Sequence, residues 1–133
     1  MDARDWQDRF FASADGLRLH YRDYAAAEPG RVPVLCLPGL TRNCRDFEAT
    51  ALRLRHTRRV LSPDLRGRGR SQHDPNWQNY HPGTYLADIA RLLEHAGVQR
   101  VVLLGTSLGG ILSMLLCATT PRLPAGVILN DIG

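Results

Sequence analysis

Val101-Val102-Leu103-Leu104-Gly105-Thr106-Ser107-Leu108-Gly109-Gly110 decides how the rest of the chain is read. Its first four residues are apolar without alternation, as in a strand covered on both faces. Leu108 to Thr119 is apolar nearly all round, the pattern of a buried helix, and Pro121 and Pro124 end it. Between the two stands Gly105-Thr106-Ser107-Leu108-Gly109, a G-x-S-x-G turn. A strand that becomes a helix so abruptly is expected to force Ser107 into a strained backbone conformation. The residues two positions to either side must then lack side chains. Gly105 and Gly109 meet that demand. Ser107 Oγ is expected above the C-terminal edge of a sheet, where α/β proteins place their sites. The N–H groups opening the next helix favour negative charge there.

Working outward, the same alternation of strand and helix recurs. Phe10 to Ser13 and Leu17 to Tyr24 flank Asp15-Gly16, a turn dipeptide, and predict an antiparallel hairpin. The alternation in Leu17 to Arg22 predicts a half-buried strand. Val32 to Leu37 and Arg59 to Ser62 are short apolar runs, with Pro33 at the start of the first. A helix is expected near Asp46 to His56. A second follows from Tyr85, Ile89, Leu92, Leu93 and Ala96 at helical spacing, with Gly97 as its stop. Val127 to Asn130 reads as a fourth buried strand. Strands alternating with helices make this an α/β chain: a mostly parallel sheet, an antiparallel N-terminal hairpin on one edge, and helices on both faces.

The 133 residues allow a single domain spanning 1–133, and the 44% hydrophobic and 23% charged content is that of a globular chain. All 17 basic residues are Arg, which excludes Schiff-base and Walker-lysine chemistry. No cofactor is expected. Cys36, Cys44 and Cys117 have neither disulfide-framework nor zinc spacing, so no metal is expected and reduced thiols in a cytoplasmic protein are. No leader is evident, and the most apolar stretch is too short to span a bilayer. Arg53 to Arg70 holds seven Arg against Asp64 alone, and Arg66-Gly67-Arg68-Gly69-Arg70 resembles an RG tract. A nucleic-acid-binding module is therefore a third reading, but a buried strand interrupts the run, so a solvated basic rim is expected and no nucleic-acid or membrane partner.

Leu35-Cys36-Leu37-Pro38-Gly39-Leu40, then Asp64-Leu65-Arg66-Gly67-Arg68-Gly69-Arg70-Ser71, then G-x-S-x-G, resemble in order and spacing the α/β-hydrolase fold, in its esterase-like branch. The resemblance covers nearly the whole chain. It implies Ser107 as nucleophile on a nucleophile elbow, supported by Gly105, Gly109 and Gly39. It implies an oxyanion hole from the backbone N–H groups of Leu108 and Leu40. Relatives usually carry His-Gly where this chain has Pro38-Gly39; the donors are main-chain groups, so the departure is expected to be tolerated. Asp64 and Arg66 are expected to hold loop structure. Dehalogenases and epoxide hydrolases of the fold use a carboxylate as nucleophile, so Ser favours acyl transfer on a small ester, lactone or related carbonyl substrate.

A Ser nucleophile needs a base, expected to be His after an acid in chain order. All five His residues precede Ser107. His20, His56 and His95 read as surface residues, while His73 and His81 lie on the loop nearer the site. Asp131 follows the nucleophile and is a candidate acid, with a loop role as the favoured alternative. The chain therefore reads as an incomplete hydrolase, lacking its base and in most respects its acid. Val127 to Asn130 would then be an apolar edge open to self-association. A catalytically inactive fragment is the second reading.

Overall fold

The structure is a computed structural model and describes residues 5–130. Asp131 lies outside the described residues. Among the described residues six strands form one sheet: β1 Gln7–Ala12, β2 Arg18–Tyr24, β3 Val34–Leu37, β4 Val60–Asp64, β5 Val101–Thr106 and β6 Pro124–Asn130. Their spatial order is β1-β2-β4-β3-β5-β6. β1, β2 and β4 pair antiparallel, whereas β4, β3, β5 and β6 run parallel.

Three described α-helices cover the sheet: α1 Glu48–Leu54, α2 Pro82–Ala96 and α3 Leu108–Thr119. The period of two along each strand sorts the core into two layers. Leu35, Leu37, Leu61 and Leu103 pack with Ile89 and Leu92 of α2 and Leu112 and Leu116 of α3. Val34, Cys36 and Val60 point the other way, toward Phe47 and Ala51 at α1.

Local chemistry sets the helix ends. Pro82 opens α2, where its missing N–H costs nothing. Gly97 closes it at φ 71°, and the Gly97 and Val98 N–H groups donate to Glu94 and Leu93. The helix expected near Asp46 to His56 is preceded by a 3₁₀ turn, Cys44–Phe47, which the Asn43 side chain caps by accepting from the Arg45 N–H.

One expectation is corrected. β2 is not half-buried: every residue from Leu19 to Tyr24 is buried. Its polar side chains go inside because each finds a partner. Arg22 Nη1 meets Glu48 at 2.8 Å, and Asp23 takes Arg9 and Arg59. β6 has the apolar composition of a buried strand but forms the open apolar edge also expected for Val127 to Asn130. It is the outer strand among the described residues, and Ile128 is 56% exposed.

Candidate functional site

The turn between β5 and α3 has the predicted shape. Ser107 sits at φ 55°, ψ −118°, the one non-glycine residue with positive φ among the described residues, and it is exposed. Both flanking glycines are required by contact. A Cβ on Gly105 would overlap the Gly109 carbonyl and stand 2.6 Å from Ser113 Oγ. A Cβ on Gly109 would overlap the Leu37 carbonyl. Three backbone segments, from β3, β5 and α3, thus touch with nothing between them, and Ser107 is carried on that contact. Ser113 Oγ, buried beneath, donates to the Gly109 carbonyl at 2.8 Å.

The strained backbone at Ser107 has a measurable consequence. Ser107→Gly is expected to raise folding stability by about 1 kcal/mol, because glycine occupies such conformations freely. Chemical denaturation of the two chains checks it.

The β3 loop reaches the same place. A Cβ on Gly39 would lie 3.5 Å from Ser107 Cβ and 3.8 Å from the Thr106 carbonyl oxygen. Leu40 follows, 56% exposed. Among the described residues no protein acceptor takes the Leu40 N–H, nor the N–H of Leu108 in the first turn of α3. Pro38 lies just past β3, beyond the last residue that pairs with β5, so no described strand pairing uses the N–H it lacks.

Asp64 and Arg66 hold the loops, as expected. Asp64 accepts from the Cys44 N–H at 2.8 Å, from the Arg70 N–H at 3.1 Å and from His20 Nδ1 at 2.7 Å. Burial alone would push its carboxyl up, but these hydrogen bonds outweigh burial and hold it below the usual carboxylate range. Gly69, at φ 52°, has no room for a Cβ because that carboxylate fills the space. Arg66 is 1% exposed and binds Asp88 through two bonds, Asp15 through two and Asp74 through one, at 2.7–3.1 Å.

Burial of His20 corrects its reading as a surface residue. It is 1% exposed, and its Nε2 reaches Asp8 at 2.8 Å while Nδ1 reaches Asp64. Pairing of β2 with β4 sets His20 opposite Asp64, so the sheet register draws it inside. No local sequence signal reveals this, since the partner lies 44 residues away. His56 and His95 are exposed, and His95 Nδ1 meets Tyr21 Oη at 2.8 Å. His73 contacts Tyr80 and His81 contacts Thr84. Among the described residues, no imidazole hydrogen-bonds Ser107.

His20, Cys44 and Asp64 form the described group with metal-ligand chemistry, their ligand atoms lying within 4.8 Å of one another. Burial pushes the Cys44 thiol up to about 12, and the imidazole and carboxylate already bond each other. The trio ties β2, β4 and the β3 loop together.

Five aspartates, at positions 8, 15, 23, 64 and 74, are held below the ordinary carboxylate range. Asp88, pushed up by burial, opposes them. In the unfolded chain the five lowered groups titrate at about 3.9 and bind protons more tightly than in the folded chain, whereas Asp88 does the reverse. Their net stabilisation is therefore full above about pH 4 and declines as pH falls below it. Thermal midpoints are expected to be flat from pH 7 to 5 and to drop steeply toward pH 3.

The basic run does not form a free cationic stripe. Arg55, Arg59, Arg66 and Arg70 pair with carboxylates, and Arg58 and Arg68 donate to backbone carbonyls. No described helix is long and apolar enough to cross a membrane.

Comparison with known proteins agrees with the geometry. The family model for the alpha/beta hydrolase fold matches residues 32–132. A crystal structure of an alpha/beta hydrolase from Novosphingobium aromaticivorans superposes with a TM-score of 0.93 at 50% identity, covering 98% of this chain and 46% of that one. The 3-hydroxybutyrate-oligomer hydrolase of Cupriavidus necator is 37% identical over 117 residues, 87% of this chain and 39% of that protein. A lipase of Mycobacterium tuberculosis is 33% identical over 113 residues, 85% of this chain and 41% of its own length. The chain thus spans less than half the length of these relatives. With a mixed sheet, an antiparallel N-terminal hairpin, helices on both faces and this strand–turn–helix, the chain belongs to the α/β-hydrolase fold family.

Proposed function

We propose that this chain carries the nucleophile of a serine hydrolase that acts by acyl transfer on a small ester, lactone or related carbonyl substrate. The observation that carries the proposal is Ser107: exposed and at positive φ on a turn that admits nothing but glycine two residues to either side. Relatives named as an oligomer hydrolase of 3-hydroxybutyrate and as a lipase support the ester class. A relative named epoxide hydrolase 4, from Mus musculus, is 31% identical over 108 residues. Serine at position 107 favours acyl transfer over epoxide opening.

In the proposed step, Ser107 Oγ bonds to the substrate carbonyl carbon and the carbonyl π pair moves onto oxygen. The free N–H groups of Leu40 and Leu108 receive that oxyanion. Its collapse breaks the bond to the leaving alkoxide, and water then hydrolyses the acyl-serine. No described imidazole touches Ser107, so its proton passes to solvent in this chain, which makes acylation slow. Asp131, the candidate acid, would act only on a base that reaches Ser107.

With p-nitrophenyl acetate the chain is expected to release about one equivalent of p-nitrophenol, then turn over very slowly, as an acyl-enzyme does. Ser107→Ala should remove that first equivalent. Release that persists in Ser107→Ala would overturn the proposal. No release from the parent chain would favour a catalytically inactive fragment.

A further inference from the structure

We infer that Arg68 is a positioning residue that fixes Leu40 for the oxyanion. The inference rests on the reading of Leu40 as an oxyanion donor. Leu40 occupies an exposed turn whose described main-chain restraint is a single bond, from the Arg42 N–H to the Gly39 carbonyl at 3.1 Å. A donor in such a turn would wander, yet oxyanion stabilisation requires it within a few tenths of an ångström of its place. Arg68 supplies the missing restraint. Its Nε–H donates to the Leu40 carbonyl at 2.9 Å, fixing the peptide that follows Leu40.

The guanidinium is itself held. Nη1 donates to the Arg66 carbonyl at 2.9 Å and to Tyr85 Oη at 3.1 Å. The guanidinium carbon lies 5.2 Å from the Tyr85 ring centre and 5.8 Å from that of Tyr80. Tyr85 belongs to α2, which packs in the core, so Arg68 links Leu40 to a rigid element. It is also electrically unlike its neighbours. Arg66, Arg70 and Arg42 each pair with a carboxylate, whereas no described carboxylate pairs with Arg68. Its charge therefore stays available at the edge where the oxyanion develops.

The test is the inactivation of the chain by a fluorophosphonate ester, which bonds phosphorus to Ser107 Oγ and expels fluoride while the hydroxyl proton passes to solvent. Arg68→Met is expected to lower the maximal rate, kinact, by about ten- to a hundredfold, because a misplaced donor costs rate. KI should stay within about twofold, since ground-state binding does not use the donor. Arg68→Lys keeps charge and stem but loses the planar fork. It should hold the thermal midpoint and still lose most of kinact, and methylguanidinium should restore part of the rate in Arg68→Ala. An unchanged kinact in both Arg68→Met and Arg68→Lys, with Ser107 still modified, would overturn the role of Arg68 alone. No adduct on Ser107 in the parent chain would overturn the serine reading and this inference together.

Discussion

Replacing Arg66 with methionine is expected to cost about 3–5 kcal/mol of folding free energy, the range seen when one partner of a buried ion cluster is removed. The side chain is 1% exposed, and its five hydrogen bonds go to three carboxylates. Methionine fills a similar volume, so the loss reports charge and hydrogen bonding and not a cavity. Asp74 and Asp88 would be left buried and close together without a cation. The same cluster joins the β1–β2 turn, through Asp15, to the β4 loop and α2. For a domain of this size, with about 5–15 kcal/mol in total, such a loss approaches unfolding at ambient temperature. Urea unfolding monitored by circular dichroism checks it. The double variant Arg66→Met, Asp88→Asn should recover part of the loss, because it removes one orphaned charge.

Gly109→Ala is expected to cost about 3 kcal/mol, the upper end of the usual penalty for overpacking. The added methyl meets the Leu37 carbonyl, which is backbone in a central strand and has no rotamer to escape into. α3 must lift away from β3, and Ser107 moves with its first turn. Two readouts should therefore fall together: denaturant stability, and the first equivalent of p-nitrophenol. Gly126→Ala is the control, since a Cβ there meets nothing within 4 Å. It should change stability by less than about 0.5 kcal/mol.

Much of this architecture was legible in the sequence, for a reason that also marks the limit. The elements around Ser107 are specified locally. Apolar runs such as Val101 to Leu104, the spacing from Tyr85 to Ala96 and the Gly105 and Gly109 pair each state their conformation within a few residues. The hairpin at Asp15-Gly16 is of the same kind. What escaped is non-local. His20 lies among alternating residues that read as half solvent-facing, and its burial depends on a register match with Asp64. Arg22 and Asp23 go inside for the same reason, each drawn by a partner far along the chain. By contrast, the apolar run Val127 to Leu129 was legible both as a strand and as an open edge, and it is the outer strand among the described residues. The contact of Arg68 with Leu40 spans 28 residues and left no local trace in either segment.

Covalent labelling tests whether Ser107 is the reactive residue. The chain is incubated with a fluorophosphonate ester, digested and mapped by tandem mass spectrometry. One phosphonate per chain is expected, on the peptide that contains Ser107, and none on the Ser107→Ala chain under the same conditions. A phosphonate on any other hydroxyl residue at equal yield, or an unmodified Ser107 in a folded chain, would contradict it.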